Sequence, residues 1–209
     1  VTEAAVRDGR LELEVEVDNL AGHKLPTAYP SRRAWLRLVV RDAEGATVFT
    51  SGDLRPDGSI AGNDNDADAA RYEPHYEEIS SPEEVQIYEG ILAGPDYAVT
   101  TVLLSATRYI KDNRILPKGF DKATADEDIA VQGAAAGDDS FAGGGDRVRY
   151  LVDVAGAEGP FQITAELWYQ PIAFRWAQNL AGQPSTETDR FVGYYDQLAS
   201  GSGMVLARA

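Results

Sequence analysis

The 209-residue chain contains no cysteine. Within this polypeptide that absence excludes disulfides, cysteine-ligated zinc, iron–sulfur clusters, a thiol nucleophile and covalent CxxCH attachment of haem. It does not assign a compartment, because secreted proteins also fold without disulfides. Bases are scarce: 19 Lys and Arg stand against 34 Asp and Glu, a formal charge of −15. Such a surface repels phosphate backbones and anionic headgroups, so neither nucleic acid nor a membrane surface is an expected partner. Long apolar runs are missing too, since none approaches the roughly 18 residues of a membrane span. From Val1 onward there is no basic-then-apolar leader pattern, and a soluble chain is expected, as a mature or excised piece would be.

The charge that is present is unevenly placed. Residues 53–89 hold eleven acids and two bases, and residues 121–146 hold seven acids and one base, so these two segments account for the whole −15. Each contains a stretch rich in Gly, Asp, Asn and Ala, at 58–68 and 134–146, which reads as loop because glycine and Asx residues favour turns. Between the loops the pattern is that of strands. Residues 10–18, RLELEVEVD, alternate apolar and charged with the two-residue period of a strand that has one wet face. Residues 34–40 and 46–50 flank Arg41-Asp42-Ala43-Glu44-Gly45, whose Asp and closing Gly suit a hairpin. Further strands are expected at 85–92, 98–106, 147–154 and 161–169, with a closing strand at 204–207. Residues 172–180, and 187–198 after a Ser185 or Thr186 cap, have helical spacing. The expectation is an all-β fold: one domain over 1–209, an antiparallel β-sandwich of jelly-roll or Ig-like kind. It has long acidic loops and one or two short helices in the C-terminal third.

Residue order adds what periodicity cannot. Residues 19–36, NLAGHKLPTAYPSRRAWL, resemble a segment of the non-haem, C-terminal β-domain of bacterial multihaem c-type cytochromes. The resemblance continues in the same order through Asp57–Ile60, Tyr72–Tyr76, Val85–Glu89, Tyr109–Lys122, Asp128–Val131 and Leu167–Pro171. One departure is Ala28, where the family pattern has Gly after Pro-Thr. The resemblance implies an accessory module of an electron-transfer system, extracellular or periplasmic, with haem c carried by a partner polypeptide or by a segment outside this sequence. It does not imply that this chain itself moves electrons.

His23 and His75, the two histidines, both fall inside the resembling segments. A neutral imidazole is a common axial ligand of haem iron, so either could serve a neighbouring haem in trans. The alternative is that each anchors its loop through backbone hydrogen bonds beside Pro26 and Pro74. Calcium is the second cofactor considered. Asp64, Asp66 and Asp68 alternate like the first half of an EF-hand, but Ala69 and His75 stand where that loop needs its Gly and its bidentate Glu. A calcium site of another kind would draw on Asn63, Asp64, Asp66, Asp68 and Glu73, with Asp138, Asp139 or Asp146 from the second acidic loop.

No catalytic constellation is recognisable. Glu77-Glu78 and Glu83-Glu84 are neighbours in connecting chain rather than carboxyls facing across a cleft. There is no Gly-x-Ser-x-Gly or His-Glu-x-x-His motif, and Gly143–Gly145 lacks the Lys-Ser/Thr of a phosphate loop. Most of the aromatic group Trp168, Tyr169, Phe174, Trp176 and Phe191 is expected to pack internally, leaving Tyr194 and Tyr195 as interface candidates. Arg32-Arg33 is read as structural, flanking a buried Trp35 and able to pair with the chain's excess acid, and Lys111–Arg114 as a polar loop that fixes neighbouring backbone. The expected function is a non-catalytic structural or docking module for a haem-bearing polypeptide, self-assembly included. The alternative is a free-standing, calcium-dependent extracellular module, carbohydrate-directed or filament-forming.

Overall fold

The structure is a computed structural model that describes residues 1–209. Its first half contains β1 (Glu3–Arg7), β2 (Arg10–Asp18), β3 (Arg33–Arg41), β4 (Thr47–Ser51), a one-turn helix α1 (Asp64–Ala67), β5 (Glu78–Ile79), β6 (Ile87–Tyr88), β7 (Gly90–Ala93) and β8 (Val99–Thr100). There follow β9 (Arg108–Asp112), β10 (Gly145–Asp153), β11 (Gln162–Gln170), α2 (Phe174–Ala181), α3 (Thr186–Leu198) and β12 (Met204–Arg208).

Two sheets form the sandwich, ordered β1-β2-β10-β5 and β12-β11-β3-β4, with β6 extending the second along β3. Pairing is antiparallel except for the short β10–β5 contact. In the β2–β10 ladder Leu13 faces Tyr150 and Val15 faces Val148; in the β3–β11 ladder Leu36 faces Leu167 and Leu38 faces Ala165. These residues share one buried cluster, which places the core between the two sheets. Each of the Leu and Val side chains among them contributes about 1.5–3 kcal/mol relative to exposure. The other face of β2 carries Glu12, Glu14 and Glu16, and Glu12 and Glu16 pair with Arg149 and Arg147 across the ladder. That arrangement is the physical content of the alternating sequence.

β3 does not alternate because both of its faces are covered. Trp35, on the face away from the sandwich core, is fully buried against Ile60, Val85 and Ile87, with Trp168 at 5.7 Å between ring centroids. Its indole N–H donates to Gly52 O at 2.9 Å. The acidic segment 53–89 therefore folds back as a cover over β3 rather than trailing into solvent.

A third small sheet, β8-β7-β9, adds to the sandwich. Here the expectation of a strand over 98–106 is corrected: only Val99–Thr100 is extended, and 103–105 turn. Leu104 is fully exposed, so no sheet face rewards extension there. The expected run 85–92 is divided into β6 and β7, and Lys111 and Asp112, read as part of a polar loop, instead end the strand β9. α3 starts with a reciprocal capping box between Ser185 and Thr188. No helix is long and apolar enough to cross a membrane.

Candidate functional site

The loop that carried the calcium expectation is a capped helical turn. Asn63 Oδ1 accepts from Asn65 N at 3.1 Å, as the N-cap of α1. Asp66 is buried and paired bidentately with Arg33, at 2.8 and 2.9 Å, while Oδ2 also accepts from Ile60 N. Gln170 Oε1 and Gly58 O accept from two further Arg33 donors, so four of the five guanidinium N–H groups of this buried charge are engaged. Asp64 pairs with Arg71, and Asp68 accepts from Ala70 N. Glu73 accepts from Asp64 N and from the Tyr76 hydroxyl. Asn63, Asp64, Asp66, Asp68 and Glu73 are thus each spent on a different partner, and their oxygens do not converge. Arg33 and Arg71 pair with Asp66 and Asp64, while Asp68 and Glu73 are held by neutral donors alone.

Convergence occurs elsewhere, around His75. His75, Asp138 and Asp146 are all buried, with ligand atoms within 4.8 Å of one another. Three connections bring them together: the extended chain after Tyr72, the turn after the short helix 134–136, and the start of β10. His75 Nε2 lies 3.0 Å from Asp138 Oδ2 and 3.9 Å from Asp146 Oδ1. Gln86 Nε2, at 2.8 Å, and Asn113 Nδ2, at 3.1 Å, both face His75 Nδ1. Gln86 Nε2 also donates to Asp146 Oδ2, which accepts from the Tyr88 hydroxyl at 2.7 Å. The Phe141 ring closes the centre edge-on, 5.0 Å from the imidazole.

These contacts determine the tautomer. Gln86 Oε1 accepts from Tyr76 N and Asn113 Oδ1 accepts from Glu89 N, so both amide nitrogens point at the imidazole. Nδ1 must therefore accept, and Nε2 must carry the proton and donate to Asp138. With one lone pair capped by amides and the other nitrogen protonated, His75 has no electron pair for a cation or a haem iron. The spacing of the three side chains suits a metal ion, but the hydrogen-bond assignment does not. The same capping distinguishes the pair from a hydrolytic His–Asp relay, whose imidazole must accept a proton from a nucleophile's hydroxyl or thiol.

Electrostatics follow from the enclosure. Burial lowers the His75 pKa to about 4, against the pull of Asp138, which keeps the ring neutral. Burial pushes Asp146 up to about 7; the Tyr88 hydrogen bond opposes the rise and the charge of Asp138 adds to it. Burial also acts on Asp138, but hydrogen bonds from His75 and Ser140 hold that carboxyl below its usual range. The Tyr150 hydroxyl is buried without a partner. Through these hydrogen bonds the centre connects 72–76, Gln86, Asn113 and 138–146.

The second histidine is placed differently. His23 is exposed, and its Nδ1 lies 2.9 Å from Lys24 O, so Nδ1–H donates and Nε2 keeps its lone pair on the outer surface. Its loop is anchored to the same region as His75. Lys24 Nζ bonds Asp112 at 2.8 Å, Leu25 and Ile115 exchange backbone hydrogen bonds, and Asn19 Nδ2 reaches both His23 O and Ile115 O. Of the two ring candidates, Tyr194 is 60% exposed whereas Tyr195 is 8% exposed and packs on Ala177 and Ala199, which removes Tyr195 as an interface residue.

Sequence reasoning gave neither Gln86 nor Asn113 a part in a buried site, and took Asn113 only as part of the backbone-fixing loop Lys111–Arg114. Their signal was there: a Gln inside the apolar run 85–92 marks a polar group that must find a buried partner.

No family model matches the chain, and no curated protein matches it. Among solved structures it is similar to a penta-haem cytochrome c552 from Thermochromatium tepidum, with a TM-score of 0.52 and 14% sequence identity. The similarity covers 99% of this chain and 37% of that cytochrome, so the chain spans little more than a third of its neighbour's length. At this identity the likeness is one of fold alone: the antiparallel β-sandwich of this chain is similar to part of that structure.

Proposed function

We propose that this chain is a non-catalytic packing and docking module of a multihaem c-type cytochrome system, acting outside the cytoplasmic membrane. The observation that carries the reading is the fold similarity to part of a penta-haem cytochrome in a chain that has no cysteine of its own. Haem in such a system is then held by another polypeptide or segment, and this chain contributes shape. The His75 centre and the Arg33–Asp66 pair support that role, because both spend their charge on fixing loops. On this reading His23 is the residue that touches a partner's haem; supporting it, Nδ1 is engaged by Lys24 O and the ring is exposed.

Purification of the native protein from its source, followed by haem staining of the denatured gel, tests the assignment. A haem-bearing polypeptide in constant ratio with this chain, cross-linked to it, supports the module. Recovery of the native protein as a haem-free species would sink it. Within a haem-bearing complex, His23→Ala is expected to alter the low-spin haem spectrum and His75→Ala to leave the ligand bands in place while lowering stability.

A further inference from the structure

Between the helical C-terminal third and the rest of the fold lies a groove of about 770 Å³. Tyr29 and the segment after β8 form one side, and α2 with Phe191 of α3 forms the other. None of its fourteen lining residues is charged, in a chain of which a quarter of the residues are. The lining divides between apolar groups, among them Val102, Ile172 and Leu180, and neutral hydrogen-bonding groups.

The aromatic residues keep polar edges free. Tyr29 and Trp176 meet edge to face, with centroids 5.5 Å apart and planes at 61°, and Tyr29 is half exposed. Trp35 donates its indole N–H to Gly52 O and Trp168 donates to Glu166, whereas Trp176 Nε1 has no acceptor within the protein. Asn179 Nδ2 donates to Thr101 Oγ1 at 3.0 Å, which orients the amide and leaves Oδ1 as a free acceptor. The Gln178 and Gln183 side chains add two more unengaged amides at the rim.

We propose that this groove is a binding site for a neutral carbohydrate chain. A sugar presents C–H faces that pack on aromatic rings and hydroxyls that both donate and accept, which matches rings flanked by amides and no charge. The volume lies within the range of about 300–1,000 Å³ usual for small-ligand sites. An anionic ligand is repelled by the net charge of −15, and a cation finds no carboxylate in the lining. A wholly apolar occupant would strip water from the Trp176 N–H and the amides without replacing their hydrogen bonds. The site is independent of the haem-partner assignment, and either can fail without the other.

The test is heteronuclear NMR of the full chain titrated with cellotetraose, maltotetraose and chitotetraose, each to about 10 mM. The chain has three indole N–H signals, and Trp176→Phe identifies the one of interest. Saturable movement of the Trp176 and Asn179 side-chain signals with at least one of these glycans, Trp35 and Trp168 staying still, is the expected result. Gln183→Ala alters an exposed side chain, leaves the fold intact, and should weaken binding about three- to tenfold. Three outcomes overturn the proposal: no movement with any of the three glycans, unchanged affinity in Gln183→Ala, or tighter binding of a blocked Leu-Phe-Leu peptide than of the sugars.

Discussion

Replacing Asp146 by Asn should expose a pH dependence that the intact protein conceals. In the folded chain Asp146 holds its proton up to about pH 7, against an ordinary carboxyl value of 3.8. It therefore favours the folded state below pH 3.8, and that contribution is lost as the pH rises through about 7. At about 1.4 kcal/mol per pH unit, the span is worth about 4 kcal/mol. His75 acts in the opposite sense. Its folded value of about 4, against 6.5 for the free side chain, means that stability is gained as the pH rises through that interval and lost as it falls. That contribution is worth about 3 kcal/mol. Between about pH 4 and pH 6.5 the two slopes nearly cancel, because the folded chain binds one proton more at Asp146 and one fewer at His75. Urea denaturation of Asp146→Asn and the parent across this range should show the variant least stable, relative to the parent, at the acid end. The difference should shrink by up to about 4 kcal/mol toward pH 7 and above. His75→Gln should show the converse trend. A stability difference that does not change with pH in either variant would refute the assignment of these two groups as opposed proton holders.

Other expectations follow from the same contacts. Asp66→Ala leaves the Arg33 guanidinium buried without its carboxylate and should cost about 3–5 kcal/mol by chemical denaturation. The double replacement Arg33→Met with Asp66→Leu should recover most of that loss, and a single-variant cost below about 1 kcal/mol would contradict the buried pair. Ala28 adopts φ +61°, the left-handed region, which costs a non-glycine residue about 1–2 kcal/mol. Ala28→Gly gives back about 0.4–1 kcal/mol in unfolded-state freedom, so it should raise stability by about 0.5–1 kcal/mol, and a fall would count against that backbone geometry. Melting temperature should not respond to chelator or to millimolar calcium, because each acidic side chain of the 63–73 segment is already held by a protein partner of its own; a rise with calcium would show a site these contacts do not provide.

The main sheets were legible because their strands obey simple patterns. β2 matches its alternating run residue for residue, and the 34–40 and 46–50 segments pair as a hairpin. Ala98–Ala106 misled because apolar and β-branched residues signal a strand only when something covers them, and Leu103 and Leu104 meet solvent instead. The candidate site was half legible. His75 was named, and so were Asp138 and Asp146, though as oxygens for an ion rather than as its partners. What no local pattern holds is the pairing itself, since His75 and Asp138 are joined across 63 residues of chain. Likewise Arg33 could be read as a base able to pair with the chain's excess acid, but nothing in the pattern of 63–73 marks Asp66 as the carboxylate it reaches. The resemblance located the Ala28 departure, and the backbone there adopts the conformation that glycine prefers.

The order of the strands has a consequence for how the chain reaches this state. Val15 pairs with Val148, and Leu36 with Leu167, so both central ladders join the opening quarter of the sequence to its later part. Neither can close while the polypeptide is still being made up to those points, and loop closure over such separations slows folding. Until then β2 and β3 wait with their apolar residues uncovered. A chain built this way closes its core late, only once β10 and β11 are available to pair with β2 and β3.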